Sequence, residues 1–401
     1  MTIKKIQYSK LDDHQKTIMM IGGGIQEVKA VQIAQSSGYK VIVTDRNKDA
    51  PCFAYADYAA VIDGRDIERL IAYTLLNKKK LNITGVFTLT ELITSVAIVA
   101  TAAELPSVSL SSAVACQNKQ LCKKIWKSVE VPTPKGGCVD TFEDALNWFD
   151  HLNEKIFVKP PVGFGSINTQ KIVSKNELKQ FFNSVENPMM IEELVDGSMH
   201  DVNAVFDANG MFVPLGCFDR FFEQENQVET GAVYPSSLSP EQIQQAYDLT
   251  ESAARTLGIN WGPVKSDLVL SGQGFMVFEI ATRIHGPKGS LFLTSMVDEL
   301  SHLQRILGVV AGDCEVVRKI EISDEVAAYE IVDHPGRPFS RFCGVDDLER
   351  KGFELLQLNS ASSRSNCRDN RDVVGYLFGK GEKAGPLRIA LRSIKKGIRF
   401  E

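Results

Sequence analysis

Trp261–Gly286 reads WGPVKSDLVLSGQGFMVFEIATRIHG. Two apolar-rich runs, Val264–Leu270 and Phe275–Ile280, flank Ser271-Gly272-Gln273-Gly274, and this pattern predicts a β-hairpin. Asp267 and Glu279 stand on its two arms, 12 residues apart. Residues directly opposite in an antiparallel pair share a face. Strict pairing across a two- or four-residue loop sets Asp267 against Phe278 and turns Glu279 the other way. An odd loop such as Gly272–Gly274, or a bulge, brings the two acids together, and the odd loop is the expectation. Paired carboxylates there make a hard-oxygen site suited to Mg2+ bridging phosphates; two solvated strand acids are the alternative. Arg283 follows on the same stretch. It is placed either to clamp a phosphoryl group or carboxylate bidentately, or to pair with those same acids.

Upstream, Ile156–Lys159 (IFVK) reads as a strand running into Pro160-Pro161-Val162-Gly163-Phe164-Gly165-Ser166. Amides of such a loop can cradle phosphate oxygens, and Lys159 adds a point charge. A plain hairpin turn with a snorkelling lysine is equally open. Glu192-Glu193-Leu194-Val195 ends another strand before Asp196-Gly197. In a nucleotide cleft this backbone could meet a base edge; alone, it reads equally as a charged strand end. Ala113–Val129 is expected to be one helix, stopped before Val131-Pro132-Thr133-Pro134. Pro240–Leu257 is expected to be a long amphipathic helix with Ser239 as N-cap.

The first hundred residues alternate strands and helices: Thr17–Ile21, Lys40–Thr44, Tyr58–Ile62 and Gly85–Thr88 as strands, with helical spacing between them. That alternation implies a doubly wound parallel sheet. Gly22-Gly23-Gly24 follows the first strand, but a dinucleotide fingerprint starting at Gly22 needs glycine where Glu27 stands. The reading is therefore a tight strand–helix turn in a Rossmann-like unit without nucleotide, although Asp45 lies near where a ribose-binding acid would be. Toward the C-terminus, EVVRKIEIS, VAAYEIVD and PLRIALRS are expected to be strands of a small α+β unit.

The 401 residues carry a formal charge of −5, with 44% hydrophobic and 24% charged residues, which indicates a multi-domain globular chain. Mild acidity and the lack of a basic patch interleaved with aromatics argue against nucleic acid as partner. No apolar signal segment and no long uncharged apolar run are visible, so neither export nor a membrane span is expected. Eight scattered cysteines without a CxxC pair suggest reduced thiols in a cytosolic (cytoplasmic) enzyme.

Taken in order, these segments resemble the ATP-grasp superfamily over roughly residues 17–310. The resemblance implies a Rossmann-like pre-ATP-grasp domain at 1–112, an ATP-grasp domain of two α+β lobes at 113–310 and a small C-terminal α+β domain at 311–401. QNKQLCKKIWKSVEVPTP is similar to the first lysine helix, implying Lys119 as a nucleotide-phosphate lysine. FVKPPVGFGSINT is similar to the second lysine and its glycine loop, implying Lys159, Gly165 and Ser166 at the phosphates. IEELVDGSMHDVNAVF resembles the adenine hinge, with Glu192, Glu193, Leu194 and Val195 at the base and His200 near the ribose. The hairpin resembles the metal-binding strands, implying Asp267 and Glu279 as ligands of Mg2+ (or Mn2+) and Arg283 at phosphate or substrate. The superfamily usually has Asn at position 281, which here is Ala281.

VETGAVYPS at 228–236 resembles a segment of carboxylate–amine ligases, with Ala232 in place of their usual His. The implied activity is ATP-dependent amide or peptide bond formation through an acyl phosphate, from a small-molecule carboxylate and an amine. Arg283 and Lys159 are the implied catalytic residues, and Arg220 and Glu229 are candidates for the substrate pocket. A carboxyphosphate- or formyl-phosphate-forming enzyme of purine type is the alternative, as is a nucleotide-binding regulatory protein without turnover. A homodimer is implied by the family alone.

Overall fold

The computed structural model describes residues 15–185, 188–223, 228–286, 288–313, 324–345, 347–358 and 369–401. Thr17–Ile21, Lys40–Asp45, Tyr58–Val61 and Ile83–Phe87 form a parallel sheet. Across it the strands run third, second, first, fourth. Thr17–Ile21 is buried throughout, as a central strand covered on both faces must be. Helices Val28–Ser36, Ile67–Leu81 and Ile93–Ala102 occur in the connections and beyond the fourth strand. Ile67–Leu81 begins on Asp66, whose side chain accepts from the Arg69 amide, and ends at Asn82 with φ of 50°.

The single helix expected over Ala113–Val129 is two helices, Leu110–Gln117 and Lys119–Ser128. Asn118 breaks the run, because its side chain accepts from the Leu121 amide and caps the second helix. Lys119 thereby becomes the first residue of a helix, where free amides and the helix dipole favour anions. Trp126 anchors this helix: its ring is fully buried and its Nε1 donates to the Ala253 carbonyl at 3.1 Å. Ala253 lies on the long helix Pro240–Thr256, which starts at Ser239 with a reciprocal capping box to Gln242.

Two further sheets flank the site. A four-stranded sheet has the order Gly136–Val139, Met189–Glu193, Ile156–Lys159, Gln170–Ile172. With helices Phe142–His151 and Lys175–Phe182 it encloses its own core of Phe149, Ile156, Val158, Leu178 and Ile191. An eight-stranded antiparallel sheet runs Gly274–Ala281, Gly262–Ser271, Ser198–Phe206, Phe212–Phe222, Glu229–Tyr234, Val326–Asp333, Val373–Gly381, Phe353–Gln357. Strands from the C-terminal part thus extend the sheet that carries the acidic hairpin.

PLRIALRS, expected as a strand, lies within the helix Ala384–Gly397. Leu387 and Leu391, four residues apart, bury together against Ala328 and Leu377, so the apolar spacing is helical. EVVRKIEIS lies outside the described residues. Among the described residues, Cys52, Cys116, Cys122, Cys138, Cys217 and Cys343 are free thiols. No described helix is long and apolar enough to cross a membrane.

Candidate active site

The hairpin arms are Gly262–Ser271 and Gly274–Ala281, and Ser271 faces Gly274. The turn therefore holds two residues, Gly272 and Gln273, and the expected odd loop does not form. Gly274, at φ of 101°, reverses the chain without a third residue. The acids meet by the other route. Pairing slips between Asp267 and Leu268, which leaves Phe278 as the extra residue of a bulge. Asp267 then faces Glu279, and Lys265 faces Ala281. The bulged Phe278 also reaches the opposite sheet: Lys159 Nζ lies 5.5 Å from its ring centroid.

Lysines approach the acids from the small sheet and from the capped helix. Lys119 Nζ lies 3.6 Å from Glu279 Oε2 and donates to the Gly163 carbonyl at 2.7 Å. It therefore joins the acidic hairpin to the glycine loop. Lys159 pairs with Glu192 Oε2 at 2.6 Å, and Lys123 pairs with Glu192 Oε1 at 2.7 Å. Glu192 is fully buried, so its charge is held by those two ammonium groups. Burial would raise its carboxyl, but Lys159 and Lys123 overcome that and hold it below the usual range. Burial brings Lys123 down to about 8 against the pull of Glu192. Glu279 follows the same logic: burial raises it, and Lys119, Lys265, Lys159 and Arg283 together hold it low.

The loop after Lys159 is irregular. Gly165, Ser166 and Asn168 have φ of 65°, 57° and 56°. The Gly165 carbonyl accepts from the Asn370 amide at 3.1 Å, so the loop touches the C-terminal unit. Farther along, the Glu193 amide donates to the Lys135 carbonyl at 2.8 Å and the Leu194 amide to the Lys155 carbonyl at 3.3 Å. His200 is buried; its Nδ1 is 3.0 Å from Asp219 Oδ1 and its Nε2 is 2.7 Å from Ser198 Oγ.

Arg283 reaches back to the loop after the fourth strand of the parallel sheet, donating to Glu91 Oε1 at 2.6 Å. Its buried Nε has no hydrogen-bond partner among the described residues. Arg220 grips Glu229 through two nitrogens, at 3.2 and 3.0 Å. It also donates to Asp201 at 2.8 Å and to Asp267 at 3.1 Å. Glu229 further accepts from Lys288 at 3.1 Å and from the Tyr329 hydroxyl. Burial favours protonated Asp201, but Arg220, Lys265 and His285 hold it well below its ordinary value. Asp267 goes the other way, pushed up to about 7 by burial and by neighbouring Asp201.

Lys119, Lys159, Asp267 and Arg283 thus gather around Glu279 at the acidic hairpin. Arg220 and Glu229 lie beside them, while His200 belongs to a separate hydrogen-bonded group with Asp219. Sequence reasoning missed Lys123, Lys265, Asp201 and Glu91. Lys123 was signalled by its spacing of four from Lys119 on one helix face, and Lys265 by its spacing of two from Asp267 on one strand face. Asp201 and Glu91 carried no local signal, because their partners come from distant segments.

Residues 116–287 match the ATP-grasp domain family. Over 240 residues the chain is 25% identical to 3-methyl-D-ornithine–L-lysine ligase of Methanosarcina mazei, covering 58% of this chain and 57% of that one. Over 179 residues it is 28% identical to D-alanine–D-alanine ligase of Francisella tularensis, covering 43% and 59%. The chain therefore spans less than two thirds of the length of these curated relatives. The fold is similar to that of L-amino acid ligase from Bacillus licheniformis, with TM-score 0.80, 17% identity, and 97% and 99% of the two chains covered. It is also similar to N5-carboxyaminoimidazole ribonucleotide synthetase from Thermotoga maritima, with TM-score 0.74, 17% identity, and 96% and 99% covered. The matched segment contains Lys119, Lys159, Asp267, Glu279 and Arg283, and over residues 116–287 the chain carries an ATP-grasp domain.

Proposed function

We propose that the chain is an ATP-dependent carboxylate–amine ligase that forms an amide or peptide bond through an acyl phosphate. The observation that carries this reading is the approach of Lys119 and Lys159 to the hairpin that pairs Asp267 with Glu279. Ammonium groups and a facing acid pair suit a triphosphate that arrives with a divalent cation.

The residues present fit that cation. Asp267 and Glu279 offer two hard-oxygen donors on opposed strand positions. Among the described residues no group of three or more His, Cys, Asp or Glu is poised for a metal, so the remaining ligands fall to phosphate oxygens and water. Mg2+ or Mn2+ bound there would neutralise and orient the phosphate oxygens. Lys119 and Lys159 supply fixed charge to the same oxygens, and the Gly163–Ser166 loop covers them and excludes water from a labile acyl phosphate. The Glu192–Val195 segment takes the base through its backbone. With the Glu193 and Leu194 amides already engaged, this task falls to the carbonyls and to Val195. In this reading His200, held by Asp219, takes the ribose side.

A substrate carboxylate attacks the γ-phosphorus, giving ADP and the acyl phosphate. An amine then attacks the acyl carbon, phosphate leaves, and the amide forms. Arg283 turns its unpartnered Nε to the carboxylate or the transferring phosphoryl. Arg220 and Glu229 border the substrate pocket. Glu229 already takes Arg220, Lys288 and Tyr329, so an incoming ammonium must displace one of them.

The test is ADP release from the purified protein with ATP, Mg2+ and a panel of amino acids. Amino-acid-dependent ADP supports the ligase reading. Dependence on bicarbonate alone replaces it with carboxyphosphate chemistry, and intact ATP binding without any release replaces it with a regulatory role.

A further inference from the structure

Lys265 belongs to none of the roles assigned above. It stands two residues before Asp267, so both side chains leave the same face of the strand. The bulge at Phe278 sets it opposite Ala281, just as Asp267 is opposite Glu279. Its ammonium pairs with Asp267 and lies 3.6 Å from Asp201 on the next strand. Only 9% of its side chain is exposed. It also contributes to the positive field at Glu279.

This arrangement limits the metal chemistry of the hairpin. A first divalent ion finds Asp267 and Glu279. A second would need another donor beside them, but the adjoining position on one arm is the methyl group of Ala281 and its partner across the ladder is an ammonium. A buried ammonium repels a divalent cation and attracts phosphate oxygens. Asp201 offers no substitute, because Arg220 and His285 already hold it.

We propose that the Lys265 ammonium takes the place of a second metal ion at the nucleotide site, so that the protein takes up its nucleotide with one divalent cation rather than two. When that cation binds Asp267, Lys265 is freed from the carboxylate and turns to a phosphate oxygen. This rests on the nucleotide reading above, which the experiment tests separately.

The experiment counts Mn2+ bound per ADP on the full-length protein, by equilibrium dialysis with electron paramagnetic resonance of the free ion. One Mn2+ per nucleotide is expected. Lys265→Met should weaken ADP binding about tenfold, and Lys265→Arg should restore most of the affinity. Two Mn2+ per ADP in the unsubstituted protein overturns this proposal and leaves the ligase reading standing. A folded Lys265→Met that binds ADP with unchanged affinity also overturns it. If the unsubstituted protein binds no nucleotide at all, both readings fall. The count on the unsubstituted protein decides the matter even if the methionine variant does not fold.

Discussion

Two glycine turns in this molecule follow buried strands and look alike on paper, yet they are built for opposite charges. Gly22–Gly24 closes on carboxylates: the Gly23 amide donates to Asp45 Oδ2 at 2.9 Å, and the Asn47 amide to Asp45 Oδ1 at 2.8 Å. Glu27 lies buried beside them, its carboxyl pushed up to about 7 by burial, with a further push from Asp45. The Gly163–Ser166 turn faces ammonium groups instead. Lys119 donates to its Gly163 carbonyl, and Lys159 precedes it. Glycine supplies backbone amides and freedom of φ in both places. The sign of the side chains packed around the turn decides whether an anion is welcome.

The sharpest way to break this contrast is at the acid pair. Glu279→Ala should lower ATP-dependent ADP release by roughly 10²–10³-fold, measured under saturating nucleotide. Unchanged release would remove Glu279 from the site. Next, Lys159→Ala should weaken nucleotide binding by about ten- to a hundredfold in calorimetry, whereas no substitution around Gly22–Gly24 should move it. An equal loss from Asp45→Asn would show that the first turn also holds nucleotide.

Glu27 sharpens the comparison through pH. Its folded value of about 7 lies above the ordinary 4.5. Its contribution to stability is therefore complete below about pH 4.5 and is lost as pH rises through about 7. Glu27→Gln should be near neutral at pH 4 and stabilising at pH 8, by on the order of 2 kcal/mol in urea unfolding. A difference independent of pH would contradict the burial argument. The smallest effect is expected of Asp45→Asn itself, at about 1 kcal/mol of stability with nucleotide affinity unchanged.

Much of the architecture was legible from local pattern. Strands alternating with helices of 9 to 15 residues predict the parallel sheet, and the observed helices fall in the expected intervals. Ser239 announced the helix from Pro240, because an N-cap acts through residues three apart. Where local pattern misled, a competing local force or a distant partner had won. Asn118 capped a second helix inside the stretch expected to be one. PLRIALRS alternates like a strand over a few residues, but its leucines bury at helical spacing. The hairpin loop is even, and its parity was reset inside the ladder at Phe278, whose ring lies against Lys159 from the four-stranded sheet.

The sequence by itself determined the kinds of group available. It contains two acids on one hairpin, lysines in a helix and at the end of a strand, an arginine beyond the second acid, and glycines where the chain must turn. Only the tertiary structure decided which of these charges meet. Arg283 finds Glu91 across 192 positions of chain, and Lys123 and Lys159 share the buried carboxylate of Glu192. Backbone preference is set by neighbours a few residues away, so it can be read along the chain. Electrostatic pairing depends on distance through a low-dielectric interior, and that distance exists only once the sheets and helices have packed.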